Sequence, residues 1–165
     1  MYVHDSHLWI ATDGKSEPFT KSGSNESHAQ FSPDGKWIAY ASDESKRLEV
    51  WMQPYPATGA KFQISLNGGT APRWRNDGKE LYFVSPDQKL MAVSMTLGAS
   101  PQWGSPNSLL NVVMTSSNQA FWPYTPSANG QKFLVREPSA EDAESHPITV
   151  VTNWLAISKT SEPRQ

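Results

Sequence analysis

One hairpin pattern occurs three times in this chain of 165 residues. In its first copy, two short apolar runs flank the turn Ser32-Pro33-Asp34-Gly35. Proline presets φ near about −65°, aspartate can accept hydrogen bonds from the backbone that follows it, and glycine readily adopts a positive φ. The later copies have Arg75-Asn76-Asp77-Gly78 and Ser127-Ala128-Asn129-Gly130 at the same place. Three turns of this kind predict a repeated antiparallel β structure.

The spacing of the repeat indicates its architecture. The turn glycines Gly35, Gly78 and Gly130 are separated by 43 and 52 residues, and a four-stranded propeller blade takes about 40–50 residues. The strand Trp37–Tyr40 is apolar at every position. A sheet with one face in water would alternate with polar residues, whereas a propeller blade packs between two neighbours. We therefore predict an all-β fold, a β-propeller built from antiparallel four-stranded blades.

The chain supplies about three blades in a single partial propeller domain, residues 1–165. Blade parts are predicted at about residues 7–20, 28–65, 71–113 and 120–155, with a frayed tail at 158–165. The first part is a lone strand pair, and the last lacks its final strand. Closed propellers have roughly 4–8 blades. We expect either a homodimer in which two chains complete a six-bladed ring, or a fragment of a longer propeller.

Composition excludes several classes of protein. The chain has 14 Lys and Arg against 16 Asp and Glu, a formal net charge of −2, so we expect no nucleic-acid partner. It has no cysteine, which excludes disulfides, thiolate metal sites and a cysteine nucleophile. No stretch approaches the ~18 apolar residues of a membrane span, and the start lacks an export signal. The compartment stays undetermined.

Four residues are candidates for ligand binding. Arg73 and Arg75 flank Trp74 in the second copy, where two guanidiniums on one strand face can hold an anionic peptide or carboxylate in the channel. Salt bridges to neighbouring blades are the alternative. His28 begins the first inner strand and faces either the channel or a neighbouring blade. Trp122, like Trp103, stands in or beside a loop and is expected to be exposed.

No catalytic residue, metal site or cofactor is predicted. His4, Asp5 and His7 cluster near the start, but no fourth ligand accompanies them. The aspartates Asp13, Asp43 and Asp87 stand at turns without the spacing of a calcium loop. No Gly-x-Ser-x-Gly motif occurs.

The repeat Phe31–Tyr40 resembles that of TolB-type β-propellers. The longer pattern Val50–Pro56, Gly68–Arg75 and Lys89–Val93, with the ending Ile148–Leu155, is similar to the C-terminal propeller of bacterial membrane serine/threonine kinases. That resemblance implies an extracytoplasmic sensory or protein-binding part, since the kinase motifs themselves are missing from this chain.

We therefore predict a non-enzymatic binding or scaffold module for a protein, a peptide or a small anionic ligand. Two alternatives stay open. One is a propeller hydrolase of the lactonase or glycosidase type, which would need carboxylates on the inner strands. The other is a non-functional fragment of a sensor kinase.

Overall fold

The computed structural model describes residues 7–21, 23–112, 122–136 and 148–152. The regular structure of these residues consists of strands alone, and every pairing between them is antiparallel. Within these ranges we find no helix long and apolar enough to cross a membrane. The strands are β1 (Trp9–Thr12), β2 (Lys15–Pro18), β3 (Glu26–Phe31), β4 (Trp37–Ser42), β5 (Glu49–Pro54), β6 (Phe62–Gln63), β7 (Thr70–Trp74), β8 (Glu80–Val84), β9 (Lys89–Thr96), β10 (Gln102–Trp103), β11 (Asn107–Asn111), β12 (Tyr124–Pro126), β13 (Lys132–Arg136) and β14 (Ile148–Thr152).

The strands form four sheets that follow the repeat. Blade 1 has the order β3-β4-β5-β6, and blade 2 runs from β7 through β8 to β9, which pairs with both β10 and β11. Blade 3 consists of β12-β13-β14, and β1 and β2 form a separate hairpin. Each blade begins with the strand that precedes its repeated turn, and these three first strands, β3, β7 and β12, are the inner strands.

Local hydrogen bonds explain why the turn residues recur. Gly35 has a φ of 69°, Asp34 Oδ1 accepts from the amide of Lys36 at 3.1 Å, and Ser32 Oγ accepts from the amide of Trp37 at 3.0 Å. In blade 3, Asn129 Oδ1 and Ser127 Oγ make the equivalent bonds at 3.1 and 3.0 Å. The amide oxygen of asparagine thus replaces the carboxylate of aspartate in the same turn.

Both faces of β8 are buried, as the apolar repeat predicts. Leu81 and Phe83 pack into the core between blades 1 and 2, together with Trp37 and Met52. The alternate residues of β8, Tyr82 and Val84, pack into a second core. That core lies between blades 2 and 3 and includes Phe133, whose ring meets Tyr82 at 5.0 Å. Because side chains alternate along a strand, one sheet joins two cores.

The outer strand of blade 2 differs from the prediction. Four-stranded blades predict a single outer strand within the blade part 71–113. Two short strands, β10 and β11, pair with opposite ends of the long β9 instead. Pro106 has no amide hydrogen to donate to a ladder, which fits the interruption between them. The predicted tail at 158–165 lies outside the described residues.

Candidate functional site

The inner strands β3 and β7 carry the same irregularity. Their pairing shifts register between Ser27 and Gln30 in blade 1 and between Thr70 and Arg73 in blade 2. His28 and Ala71, which occupy equivalent positions in these bulges, have φ values of 53° and 52°. Bulges redirect the side chains around them and are common beside functional sites. Blade 3 has Pro123 at this position, and a proline ring cannot adopt a positive φ.

Three of the four predicted ligand-binding residues lie together. The guanidinium carbon of Arg73 lies 4.2 Å from the ring centroid of Trp122. The ring of His28 meets the ring of Trp122 edge to face, with centroids 5.3 Å apart. Trp122 Nε1 also donates to the carbonyl of Pro72 at 3.4 Å. We call these residues the His28–Arg73–Trp122 cluster; it joins β3, β7 and the approach to β12.

Arg73 has an unusual electrostatic environment. Its side chain is half-buried, and among the described residues no carboxylate pairs with it. Its Nε is buried and has no hydrogen-bond partner in that part of the chain. Removal of water from the guanidinium lowers the pKa of Arg73, although an arginine stays protonated in a protein. The cluster therefore holds a cation whose only described partner is an aromatic ring.

The structure does not bring Arg75 into the cluster, which corrects the expectation of two guanidiniums on one strand face. β7 ends at Trp74, and Arg75 is the first residue of the turn. Its Nε and Nη2 bind the carboxylate of Asp77 at 2.7 and 2.8 Å, and its Nη1 lies 3.0 Å from Glu80. These hydrogen bonds and charges raise the pKa of Arg75. Arg75 is thus neutralised within its own blade, by Asp77 and Glu80, and not by the neighbouring blades that the alternative named.

The two tryptophans expected to be exposed are both half-buried. Trp103 packs against the core between blades 1 and 2, with its ring 5.7 Å from Phe62. Trp122 packs against the other core. Among the described tryptophans, the one with a large exposed fraction is Trp9 on the β1–β2 hairpin, at 60%. The position of Trp103 and Trp122 in or beside a loop did not predict their burial, because the residues that cover them come from other blades.

Two residues that contact the strands of the cluster were not among the predicted ligand-binding residues. Gln30 Oε1 accepts from the amide of Trp74 at 2.9 Å and so ties β3 to β7. The buried hydroxyl of Tyr124 donates to the carbonyl of Ala71 at 2.8 Å, and burial raises its pKa. Gln30 and Arg73 both stand five residues before a turn glycine, so the repeat places them at equivalent inner-strand positions, and only the structure shows the bond of Gln30 to Trp74.

The residues considered as metal ligands make hydrogen bonds or ion pairs with nearby residues, where the structure describes them. Asp43 accepts from the backbone and the side chain of Asn25 at 2.8 and 2.9 Å, and Asp87 pairs with Lys89 at 2.7 Å. His7 lies 4.0 Å from Glu26. No group of three potential metal ligands occurs within the described ranges, and His4 and Asp5 lie outside them.

Comparisons with known proteins give structural likeness only. The sequence matches no protein-family model and no curated protein. The chain is similar to oligogalacturonate lyase in complex with manganese, with a TM-score of 0.60, 14% identity, and coverage of 92% of this chain and 42% of that one. A structure described as TolB from Agrobacterium tumefaciens is equally similar, with a TM-score of 0.60 and 16% identity. That match covers 90% of this chain and 53% of the other.

A TolB structure from Acinetobacter baumannii is 22% identical over 89% of this chain and 46% of its own, with a TM-score of 0.45. The chain thus spans about half the length of the propellers that it resembles. At these identities the likeness shows the fold alone. The fold is that of a TolB-like β-propeller, all-β with antiparallel four-stranded blades.

Proposed function

We propose that this chain is a non-enzymatic binding module whose His28–Arg73–Trp122 cluster binds a carboxylate of an anionic ligand. The observation that carries the proposal is the half-buried guanidinium of Arg73, stacked on Trp122 and without a carboxylate partner among the described residues. Most charged groups that leave water are paired. An unpaired guanidinium at the inner strands therefore suits an anion that arrives from outside the chain.

The geometry suits a carboxylate in particular. A guanidinium can bind both oxygens of a carboxylate at once, and stacking on an aromatic ring leaves its edges available for hydrogen bonds. Trp122 is itself held by its bond to Pro72 and by the ring of His28. Arg73 is consequently oriented before a ligand binds, which reduces the entropy lost on binding.

The acidic residues favour binding over hydrolysis. A glycosidase of the two-carboxylate type needs its carboxyl groups to flank the substrate. On the described inner strands the one carboxylate is Glu26, which is buried and accepts hydrogen bonds from Thr20 Oγ1 and from the amide of Leu8.

The resemblance to the kinase propellers stays a prediction. On the basis of that resemblance we propose a sensory role outside the cytoplasm.

The test compares an acetylated triglutamate peptide with its triglutamine counterpart by isothermal titration calorimetry at low ionic strength. We expect the glutamate peptide to bind more tightly. Arg73→Gln should weaken that binding by about tenfold or more, because a charge-assisted hydrogen bond contributes about 1.5–3 kcal/mol. Arg73→Lys should recover part of the affinity, since it keeps the charge but loses the planar fork.

Arg75→Gln is the matched control, because that guanidinium is already neutralised by Asp77 and Glu80. It should leave the affinity for the peptide nearly unchanged. Equal binding of the two peptides, or equal losses in the two arginine variants, would contradict the proposal.

A further inference from the structure

The inner strands of blades 1 and 2 each carry a polar side chain that reaches toward the following blade. These residues, Gln30 on β3 and Arg73 on β7, both stand five residues before a turn glycine, and both are half-buried. Gln30 Oε1 accepts from the amide of Trp74 in blade 2 at 2.9 Å, whereas Arg73 stacks on Trp122. The same repeat position thus makes different contacts in the two blades.

The residue met in the following blade explains this difference. Trp74 stands four residues before its turn glycine and has an amide hydrogen that Gln30 accepts. The equivalent residue of blade 3 is Pro126, which has no amide hydrogen to donate. Arg73 therefore meets no backbone donor at this place, and its guanidinium carries donors only. Those donors suit an acceptor that comes from outside the chain.

Gln30 also has a donor that the fold does not use. Its bond to the amide of Trp74 identifies the oxygen of the carboxamide, so the other atom is the Nε2 amide nitrogen with two hydrogens. No described residue accepts a hydrogen bond from Nε2. Unlike the Nε of Arg73, it is not a buried atom without a partner. Nε2 is therefore an accessible donor within the described part of the chain.

This donor borders the His28–Arg73–Trp122 cluster. The amide of Trp74 belongs to the peptide bond that follows Arg73, so the Gln30 carboxamide lies against the segment of β7 from which Arg73 extends. Two residues earlier on β3, the ring of His28 meets the ring of Trp122. β3 therefore runs along the Arg73–Trp122 pair and carries Gln30 Nε2 at its border.

We propose that Gln30 determines the ligand class of the site, by donating from Nε2 to an amide carbonyl of the ligand while Arg73 binds the carboxylate of the same ligand. This role rests on the proposed function of the cluster and narrows its ligand to an acidic peptide segment. A simple carboxylate satisfies the guanidinium alone. In a peptide, each acidic side chain has amide carbonyls a few bonds away, which satisfy both donors.

The test compares two diacids, glutarate and N-acetylglutamate. They have the same carbon chain and the same two carboxylates, but only N-acetylglutamate has an amide carbonyl. NMR titration of isotope-labelled protein at low ionic strength measures both affinities. We expect N-acetylglutamate to bind about twofold to tenfold more tightly, as one additional neutral hydrogen bond provides. It should also shift the side-chain amide resonances of Gln30, which are identified by their absence in Gln30→Met.

Gln30→Met tests whether this preference comes from Nε2. It removes the donor, so the ratio of the two affinities should fall to about one. Loss of the bond to Trp74 would by itself weaken both ligands alike and leave their ratio unchanged. If Gln30→Met does not fold, Gln30→Glu keeps an acceptor for Trp74, replaces only the donor, and should also lose the preference. Gln102→Met, on the exposed part of β10, is the matched control and should keep it.

Failure of the proposed function and failure of this role are distinguishable. If the wild type binds neither diacid, or if Arg73→Gln binds both as the wild type does, the proposed function fails and the role of Gln30 fails with it. If both diacids bind through Arg73 with equal affinity, or if the preference persists in the Gln30 variants, the carboxylate site stands and the role of Gln30 is overturned.

Discussion

Gly130 stands where the turn of blade 3 meets blade 2. A Cβ at this position would lie 2.7 Å from Cδ of Arg75 and would overlap the hydroxyl of Tyr82. Its φ of 70° is also in the region that favours glycine. The position therefore needs glycine for two separate reasons, one local and one tertiary.

A series of alanine substitutions separates these two reasons. Gly98→Ala should leave the free energy of unfolding nearly unchanged, because no atom lies within 4 Å and the backbone is not left-handed. Gly35→Ala meets open space at a φ of 69° and should cost about 1–2 kcal/mol of backbone strain. Gly130→Ala should cost a further ~1–3 kcal/mol from overpacking. Urea unfolding measures all three, and equal losses at Gly35 and Gly130 would contradict the tertiary contact.

Asp77 gives a pH-dependent prediction at the same scale. Hydrogen bonds from the Arg75 side chain lower the pKa of Asp77 to about 2, below the ~3.9 of an unfolded aspartate. A lowered folded pKa stabilises the protein above the unfolded value, and this stabilisation is lost as pH falls from about 5 to about 2.

Asp77→Asn should keep the turn, because Asn129 makes the equivalent hydrogen bonds in blade 3. It should be less stable than the wild type at pH 7, and the difference should shrink as the pH falls to about 2. Urea unfolding at pH 7, 5, 4 and 3 provides the measurement. Glu17→Gln, on the exposed hairpin, is the control. A difference from wild type that does not change with pH would contradict the role of the carboxylate.

At the scale of elements, a buried carboxylate joins blade 1 to its connection with blade 2. Glu49, the first residue of β5, accepts from Arg47 Nε at 2.9 Å and from Ser65 Oγ. The amide of Gly68 lies 2.9 Å from both of its oxygens. These donors satisfy the buried charge, which would otherwise be costly. The network thereby sets where the chain leaves blade 1.

Glu49→Gln should lower the free energy of unfolding by about 2–3 kcal/mol, because the side-chain amide presents a donor where Arg47, Ser65 and Gly68 all donate. Thermal and urea unfolding measure this decrease in the free energy of unfolding. Glu17→Gln serves again as the exposed control and should change stability by less than about 0.5 kcal/mol. An equal effect of the two substitutions would mean that the network contributes little.

At the scale of the whole molecule, β8 couples the two cores. Phe83 is buried between blades 1 and 2, and Phe133 is buried between blades 2 and 3. Neighbouring repeats stabilise each other through such interfaces. Removal of a buried side chain from either core should therefore lower the free energy of unfolding of the same folded unit.

Phe83→Ala and Phe133→Ala should each cost about 3–5 kcal/mol and shift one common unfolding transition. Tryptophan fluorescence and circular dichroism should report the same midpoint in each variant. Phe31→Ala is the control, since that side chain is 44% exposed and belongs to neither core, and it should cost far less. Separate midpoints from the two probes would show that the blades unfold independently.

The repeated turn and the apolar strands determined the fold by themselves, because turn chemistry and side-chain alternation act over a few neighbouring residues. The sequence also singled out His28, Arg73 and Trp122 one by one. That they meet, and that Arg75 is neutralised by Asp77 and Glu80 instead, was decided only by tertiary structure. The three cluster residues lie in separate repeats, and only the packing of blade on blade brings them within a few ångströms of one another.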